Sequence, residues 1–173
     1  MSRASIDIAI VNYRSANDTL QALARLANWP NGTIWLVDNS AHEPDMTAQT
    51  AALQQASATM PWVVLLTTDS NLGFGRACNL AFSRSTADFF LLLNPDAEIS
   101  TDDVNLLARS LLDHPRLGAV SPKMYWNRQN SFVLPPAFGQ TPTRRVAWAL
   151  ATWTPALTRW AAQFGLTRAR SQM

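Results

Sequence analysis

The sequence has a single cysteine, two histidines and no long hydrophobic run. With only Cys78, no disulfide can form within the chain, as is usual in a reducing compartment. No run approaches the roughly 20 apolar residues of a membrane-spanning helix, and the apolar run near the N-terminus is too short for a signal peptide. His42 and His114 have no second ligand at metal-binding spacing. These absences predict a cytoplasmic protein.

Two phosphate-binding motifs are also missing. The first βα turn, at residues 12–17, contains no glycine, so the fingerprint G-x-G-x-x-G is absent there, and no Walker P-loop occurs anywhere. This argues against a nicotinamide dehydrogenase and a P-loop NTPase. A nucleotidyltransferase would need a glycine-rich, basic loop at residues 12–17. The net charge of +2 does not indicate a nucleic-acid partner.

Up to residue 121, apolar runs alternate with amphipathic segments. We predict strands at residues 6–11, 33–37, 62–67, 89–93 and 118–121. We predict that helices between them are capped by Ser15, Asp45 and Thr101. Strands of five or six apolar residues are typical of a parallel sheet that helices bury on both faces. The sequence therefore predicts an α/β fold with a mostly parallel sheet.

Two of the predicted helices have apolar faces. The helix before the fourth strand is predicted to face the core with Phe74, Ala77, Cys78, Ala81 and Phe82. The helix after that strand is predicted to face it with Val104, Leu107, Ala108 and Leu111.

Each of the first four strands ends in polar residues. They are Asn12 with Tyr13, Asp38 with Asn39, Asp69 with Asn71, and Asn94 with Asp96. Open parallel sheets bind ligands at the carboxyl ends of their strands, where an acid such as Asp38 can contact a ribose hydroxyl or a base N–H. Asp96 could hold a divalent cation together with phosphate oxygens. The alternative is that loops simply favour Asn and Asp, with Asp96 in an Asx turn.

At these residues the chain resembles glycosyltransferase family 2, whose members have the GT-A (Rossmann-like) fold. The matching segments are VNYRS at 11–15, VDNS at 37–40, NLGFG at 71–75 with Asn79, and LLNPDAEI at 92–99. The Leu-Asn-Pro-Asp form is most similar to the rhamnosyltransferase-like branch, which uses dTDP- or UDP-sugars on cell-surface polysaccharides. The resemblance covers about residues 6–123.

The resemblance implies which residues would bind a nucleotide-diphosphate sugar. Asn12 and Tyr13 would line the base pocket, and Asp38 would contact the nucleoside. The remaining contacts to the donor would come from Asn71, Gly73, Phe74, Gly75, Arg76, Asn79 and Asn94. The metal, Mg²⁺ or Mn²⁺, would be held by Asp96, which matches the last acid of the family's D-x-D motif, with Glu98 as a second candidate.

The reaction implied is inverting sugar transfer to a polysaccharide or lipid-linked acceptor. The metal would offset charge on the leaving diphosphate, and a carboxylate would deprotonate the acceptor. In the family this base comes from the second half of the domain, whereas no Asp or Glu follows Asp113 here. We therefore expect residues 1–123 to be a truncated donor-binding domain without a catalytic base. The alternative is a non-catalytic nucleotide-sugar-binding remnant or interaction module.

The rest of the sequence has a different pattern. We predict a linker at residues 124–143 and an amphipathic helix at 144–173, which carries Trp148, Trp153 and Trp160 with flanking arginines. Packing of its apolar face on the sheet is the simpler interpretation. The alternative is peripheral contact with an anionic membrane surface, at the inner face of the membrane.

Overall fold

The computed structural model describes residues 4–122, so the predicted linker and amphipathic helix lie outside the described residues. The elements follow in the order β1 (Ile6–Asn12), α1 (Ala16–Arg25), β2 (Ile34–Asp38), a 3-10 helix (Pro44–Met46), α2 (Thr47–Thr59), β3 (Val63–Thr67), α3 (Phe74–Phe82), β4 (Phe89–Leu93) and α4 (Thr101–Asp113). No helix within this part of the chain is long and apolar enough to cross a membrane.

The four strands form one parallel sheet in the order β3-β2-β1-β4. β1 lies inside the sheet and is buried along its whole length. Because all strands point the same way, their ends define two edges. We call the edge at the C-terminal ends of the strands the carboxyl edge and the opposite one the amino edge. The predicted α/β architecture with a parallel sheet and flanking helices is confirmed.

Side chains of β1 and β2 alternate between two apolar clusters, as the two-residue period of a strand requires. One cluster joins Ile8, Ile10 and Leu36 to α1, α2 and α4 through Leu23, Leu53 and Val104. The other joins Ala9, Val11 and Val37 to α3 through Ala77, Cys78 and Ala81. Helices thus cover both faces, and the small side chains on the second face let α3 approach the sheet closely.

The two outer strands are less buried than predicted. β3 exposes Val64 and Thr67, and in β4 the side chain of Leu92 is 53% exposed. Each is outermost in the part of the sheet that the structure describes, so it has a neighbouring strand on one side only. The prediction that every strand is buried on both faces is therefore correct for β1 and wrong for β3 and β4.

The predicted fifth strand at residues 118–121 does not form within the described residues. These residues are exposed, and the last backbone hydrogen bond in this region is the turn from Leu117 N to His114 O, at 2.8 Å. A strand forms only where a neighbouring strand pairs with its backbone. Among the described residues, no strand pairs with Ala119 and Val120.

The predicted helix caps are wrong in detail. Ser15 is the N-cap residue of α1, as predicted, but its side chain makes no capping hydrogen bond to the helix, and Asp45 lies within the 3-10 helix that precedes α2. α4 is capped by Ser100 rather than Thr101, through a capping box with Asp103. The backbone of Ser100 is extended, which is the conformation that an N-cap residue needs. Sequence alone cannot distinguish two adjacent residues that both cap well.

The apolar face of α3 is narrower than predicted. Ala77, Cys78 and Ala81 are buried, whereas Phe74 is half-exposed and Phe82 is 61% exposed. The two phenylalanines occupy the ends of a nine-residue helix, so only the middle of the helix lies on the sheet. Burial raises the pKa of the Cys78 thiol, which disfavours the reactive thiolate. In α4, Val104 and Ala108 are buried, while Leu107 and Leu111 are half-buried.

A buried carboxylate closes the amino edge. Asp7 accepts hydrogen bonds from Thr33 N at 2.7 Å, from Trp35 Nε1 at 2.8 Å and from Ser85 Oγ at 2.7 Å. Gly32 packs directly against this group, because a side-chain carbon there would collide with the Ile6 carbonyl oxygen and with Asp7 Oδ1. The amino edge is therefore filled by the protein itself.

Candidate functional site

The carboxyl edge brings together the polar residues that end the strands. Asn12 of β1 pairs in register with Asp38 of β2, which pairs with Thr67 of β3. Asn94 follows β4, the other neighbour of β1, directly. α3 begins at Phe74, in the connection that leaves this edge after β3. The predicted convergence of the four strand ends follows from the parallel topology.

Asp38 is fully buried at this edge, and its carboxylate is used internally. Oδ1 accepts hydrogen bonds from Asn12 Nδ2 at 2.9 Å, from Ser40 N at 3.1 Å and from Ser40 Oγ at 2.9 Å. Oδ2 accepts one from Thr50 Oγ1 at 2.7 Å. An ionised carboxylate has about four acceptor positions. These bonds therefore occupy its capacity, and Asp38 holds protein groups together.

Asn12 is also fully buried and connects two loops. Its Oδ1 accepts hydrogen bonds from Ser15 N and Ser15 Oγ, both at 3.3 Å, and from Thr19 Oγ1 at 3.1 Å. Its Nδ2 donates to Asp38 Oδ1 and, at 3.2 Å, to Ser40 Oγ. This explains the absent cap at α1: Ser15 binds Asn12 instead. The turn after β1 is thereby fixed to the turn after β2.

Tyr13 and Arg14 face outward beside this network. Tyr13 is 44% exposed. Arg14 has a φ of 54°, in the left-handed region that non-glycine residues rarely adopt. Its N–H donates to Ser40 Oγ at 3.2 Å, and its Nε donates to Glu43 Oε2 at 2.6 Å, which raises the pKa of the guanidinium. The guanidinium carbon lies 5.8 Å from the centre of the Tyr13 ring. The edge therefore presents an aromatic ring next to a tethered cation.

The turn before α3 is held by two amide side chains, of which Asn39 is buried. Asn39 binds both Asn71 and the backbone of Leu72, and Asn71 Oδ1 also accepts from Gly73 N at 2.8 Å. Asn71 itself is exposed. This network links the end of β2 to the beginning of α3.

The first turn of α3 is open. Gly73, the N-cap residue, has a φ of 74°, and no side chain caps the helix in the described structure. Phe74, Gly75, Arg76 and Asn79 are all exposed. Among the described residues, a side-chain carbon at Gly73 or Gly75 would meet no neighbouring atom within 4 Å. Unpaired N–H groups and the positive end of the helix dipole favour anions at such a terminus.

Beyond β4, two of the three predicted polar residues stay exposed and unengaged by the described side chains. Asn94 and Asp96 flank Pro95, in a turn closed by Ala97 N donating to Asn94 O at 3.0 Å. Glu98 instead pairs with Arg25 at 3.1 Å. Arg25 is the last residue of α1, so Glu98 is engaged with that helix rather than with Asn94 or Asp96.

The described residues contain no cluster of three or more His, Cys, Asp or Glu side chains that could hold a metal. A cation at Asp96 would therefore need most of its ligands from phosphate oxygens and water. Magnesium is commonly bound in this way, with one or two protein carboxylates.

Sequence reasoning missed the residues that brace the site. Asn39 was placed at the edge without a role, and Ser40, Thr50, Thr19 and Thr68 were not identified. Thr19 and Thr50 are buried hydroxyl residues on the sheet-facing sides of α1 and α2. A hydroxyl on such a face indicates a buried polar partner, but this signal is readable only once the buried face of the helix is known.

Two open grooves lie away from the strand ends. One, of about 590 Å³, lies between Arg25, Glu98 and the start of α4. The other, of about 470 Å³, runs along β4 and α4 and is mainly apolar. The first is lined by Glu98 and the second by Asn79, but neither is lined by Tyr13, Asp38 or Asp96. The candidate site is therefore defined by its chemistry rather than by a cavity.

Comparisons with known proteins identify a family and a similar fold. A family model described as Glycosyl transferase family 2 matches residues 7–159, which extends past residue 123, the predicted end of the domain. The crystal structure of S. aureus TarS 1–349 matches with a TM-score of 0.51 and 16% sequence identity. The match covers 71% of this chain and 40% of that chain. At this identity the likeness shows the fold alone. No curated protein matches.

Proposed function

Since the chain belongs to glycosyl transferase family 2, we propose that its carboxyl edge binds the nucleotide-diphosphate part of a sugar donor. The observation that carries the proposal is that the polar residues at this edge fall into two groups, one buried and one exposed. Buried Asn12, Asp38 and Asn39 brace the loops, while Tyr13, the first turn of α3 and Asp96 are left exposed.

In this proposal the base lies against the Tyr13 ring. Aromatic rings stack on bases of any sequence because every base has a π-face. Asn12 and Asp38 contribute by holding the turn that presents Tyr13, since their own polar atoms are occupied. A direct contact between Asp38 and the nucleoside would require one of those bonds to break.

The diphosphate lies at the start of α3 in the same proposal. Gly73 and Gly75 allow close approach to the backbone, and Arg76 adds a positive charge within the first turn. Asn71, Phe74 and Asn79 are near enough in sequence to complete this wall.

Asp96 holds the metal, with Asn94 beside it. A divalent cation there would supply charge neutralisation for the leaving diphosphate. Glu98 could join only by leaving Arg25. Because both partners are substantially exposed, that ion pair is worth little and would not prevent the exchange.

The finer proposal is an inverting transferase that uses a UDP- or dTDP-sugar, such as dTDP-rhamnose. The acceptor would be a polysaccharide or a lipid-linked sugar at the inner face of the membrane, with the chain in the cytoplasm and residues 144–173 as its membrane contact. The second candidate is a binding module without catalysis, and the observation that motivates it is that residues 114–173 contain no Asp or Glu.

The test is calorimetric titration of the full chain with UDP and with dTDP, with and without Mg²⁺ or Mn²⁺. We expect one of the nucleotides to bind, and to bind more tightly with metal. Asp96→Asn keeps the size of the side chain and removes its charge. It should weaken metal-dependent binding about tenfold, or about 1.4 kcal/mol. Asp113→Asn, an equally exposed acid at the end of α4, is the matched control and should bind as the unaltered chain does.

Two results would contradict parts of this proposal. Equal affinity with and without metal, or an Asp96→Asn chain that binds normally, would remove the metal assignment. An assay with radiolabelled UDP- and dTDP-sugars and lipid-linked acceptors separates the two candidates. We expect binding with little transfer, and rapid transfer would show that this chain supplies its own base.

A further inference from the structure

Asn39 is the residue that joins β2 to the turn before α3. It follows the last residue of β2 and is only 2% exposed. Its Nδ2 donates to Asn71 Oδ1 at 2.8 Å, and its Oδ1 accepts from Leu72 N at 2.9 Å and from Thr68 Oγ1 at 3.4 Å. Its backbone N–H donates to Asn12 O at 2.9 Å. One buried side chain thus contacts three residues of the β3–α3 connection.

The contacts of Asn39 require an amide. The oxygen must face the Leu72 N–H, which directs the NH₂ group toward Asn71 Oδ1. An aspartate would place an acceptor against that acceptor, and a leucine would satisfy neither group. Unsatisfied buried groups of this kind typically cost more than the bond itself contributes.

The held turn shapes the open end of α3. Asn71 Oδ1 receives both Asn39 Nδ2 and Gly73 N, so the amide of Asn39 fixes the position of the carbonyl oxygen that orients Gly73. Gly73 in turn sets the left-handed N-cap conformation from which the first turn of α3 starts. The exposed N–H groups of that turn are therefore preorganised from within the protein, through Asn39.

We propose that Asn39 is a positioning residue for the sugar-nucleotide donor: it touches no ligand and holds the turn of Asn71 to Gly73 in its binding conformation. This inference rests on the proposed function. Preorganised groups bind more tightly because less ordering remains to be done at the moment of binding.

The main test compares Asn39→Asp with Asp7→Asn in the full chain. Asp7 lies at the amino edge and is equally enclosed by hydrogen bonds, so its variant controls for a general loss of stability. Calorimetry with UDP or dTDP and Mg²⁺ is run at a temperature where circular dichroism shows all three chains folded. Asn39→Asp should bind about tenfold more weakly or worse, since small misplacements at a site have effects of up to a hundredfold. Asp7→Asn should bind within about twofold of the unaltered chain.

A second measurement covers the case in which Asn39→Asp does not fold. Amide hydrogen exchange of Leu72, whose N–H donates to Asn39 and not to Asn71, is measured in Asn71→Asp and Asn71→Leu. Asp keeps the acceptor that Asn39 and Gly73 need, so exchange should stay slow, whereas Leu removes the acceptor and should make exchange at least tenfold faster. This readout needs no nucleotide and would not move if Asn39 merely filled space.

The possible outcomes separate the two proposals. If the unaltered chain binds neither nucleotide, the proposed function fails, and this inference fails with it. If the unaltered chain binds and Asn39→Asp binds equally well, or loses affinity only as much as Asp7→Asn, the positioning role alone is overturned. Equal exchange rates in Asn71→Asp and Asn71→Leu would also overturn it.

Discussion

The amino and carboxyl edges of the sheet each contain a buried aspartate, but the glycines at the two edges are in opposite situations. Asp7 and Asp38 both accept several hydrogen bonds and tie neighbouring segments together. Gly32 at the amino edge has no room for a side chain, whereas Gly73 and Gly75 at the carboxyl edge face open space among the described residues.

This difference shows how to distinguish residues that hold the fold together from residues that leave the backbone accessible to a ligand. A buried carboxylate whose oxygens are all engaged indicates a fixed scaffold, and it occurs at both edges. A glycine pressed against backbone serves packing, while a glycine with free space around it leaves backbone accessible to a ligand. Within residues 4–122, the carboxyl edge alone combines a fixed scaffold with accessible backbone, which supports the proposal that the donor binds there.

The largest expected change in the free energy of unfolding comes from removing the two buried aspartates, Asp38 and Asp7. Comparing the two losses tests whether both aspartates stabilise the fold to the same extent. Asp38→Ala would leave the buried donors of Asn12, Ser40 and Thr50 without an acceptor. The expected loss in free energy of unfolding is about 3–5 kcal/mol. Asp7→Ala should lose about 2–3 kcal/mol, because its three donors belong to half-buried residues. Urea denaturation measures both losses, with exposed Asp113→Ala as the control. If Asp38→Ala loses less unfolding free energy than Asp7→Ala, the conclusion that Asp38 is the more strongly engaged of the two carboxylates is wrong.

A smaller effect is expected from adding one methyl group at each edge. Gly32→Ala forces a side-chain carbon against backbone and should cost about 1–3 kcal/mol of unfolding free energy. Gly75→Ala, in the first turn of α3, should instead stabilise the fold by up to about 1 kcal/mol, since alanine favours helix. Thermal denaturation gives the signs, and nucleotide titration of Gly75→Ala should show weaker binding. If Gly32→Ala and Gly75→Ala change the melting temperature in the same direction, the distinction between a glycine needed for packing and a glycine that leaves the backbone accessible is wrong.

The smallest effect concerns acid sensitivity at the amino edge. Hydrogen bonds from Ser5 N, and then from Ser5 Oγ, lower the pKa of Asp88 below its ordinary value of 3.8. Because the folded-state pKa is depressed, the stabilisation is fully present above the unfolded pKa and is lost as the pH falls through the lower folded pKa. Asp88→Asn should therefore melt slightly below the unaltered chain at pH 6. This difference should close as the pH falls through the lowered pKa of Asp88 in the folded chain.

Ser5→Ala provides the matched variant for this measurement. It removes the hydroxyl that donates to Asp88 Oδ2 and accepts from Asp88 N at 3.0 Å, and it leaves the backbone donor. The part of its melting difference that disappears in acid should therefore be smaller than that of Asp88→Asn. A melting difference that persists unchanged into acid would show that Asp88 acts through packing rather than through its charge.

Most of the fold was readable from sequence because strand and helix periods are local. The runs that became β1 and β4 were predicted within a residue of their observed ends, and the parallel sheet follows from their alternation with helices. The prediction of a fifth strand at residues 118–121 was wrong because a strand forms only beside a pairing partner. The local sequence does not show whether such a partner exists. The prediction that Phe74 and Phe82 face the core was wrong. Helical periodicity identifies the apolar face of a helix, but it does not show how much of the helix length lies against the sheet.

The candidate site was predictable in place and less so in role. Parallel topology put Asn12, Asp38 and Asn94 at one edge, as expected. Whether a polar side chain points into the protein or out of it depends on partners distant in sequence, such as Thr50 for Asp38 and Asn71 for Asn39. Those pairings exist only after folding, so buried bracing residues and exposed contact residues look alike in the sequence.

The strand order has a consequence for how the chain folds. Ile8 pairs with Ile34 and Ile34 with Val63, but Ile6 pairs with Phe89. Closing the β1–β4 loop, roughly three times longer than the others, costs about 1 kcal/mol more in chain entropy. Contacts distant in sequence also form more slowly. We therefore expect β1, β2 and β3 to associate first, which assembles the Asn12, Asp38 and Asn39 network before β4 arrives. Asp96, the proposed metal ligand, would then be the last part of the site to reach its place.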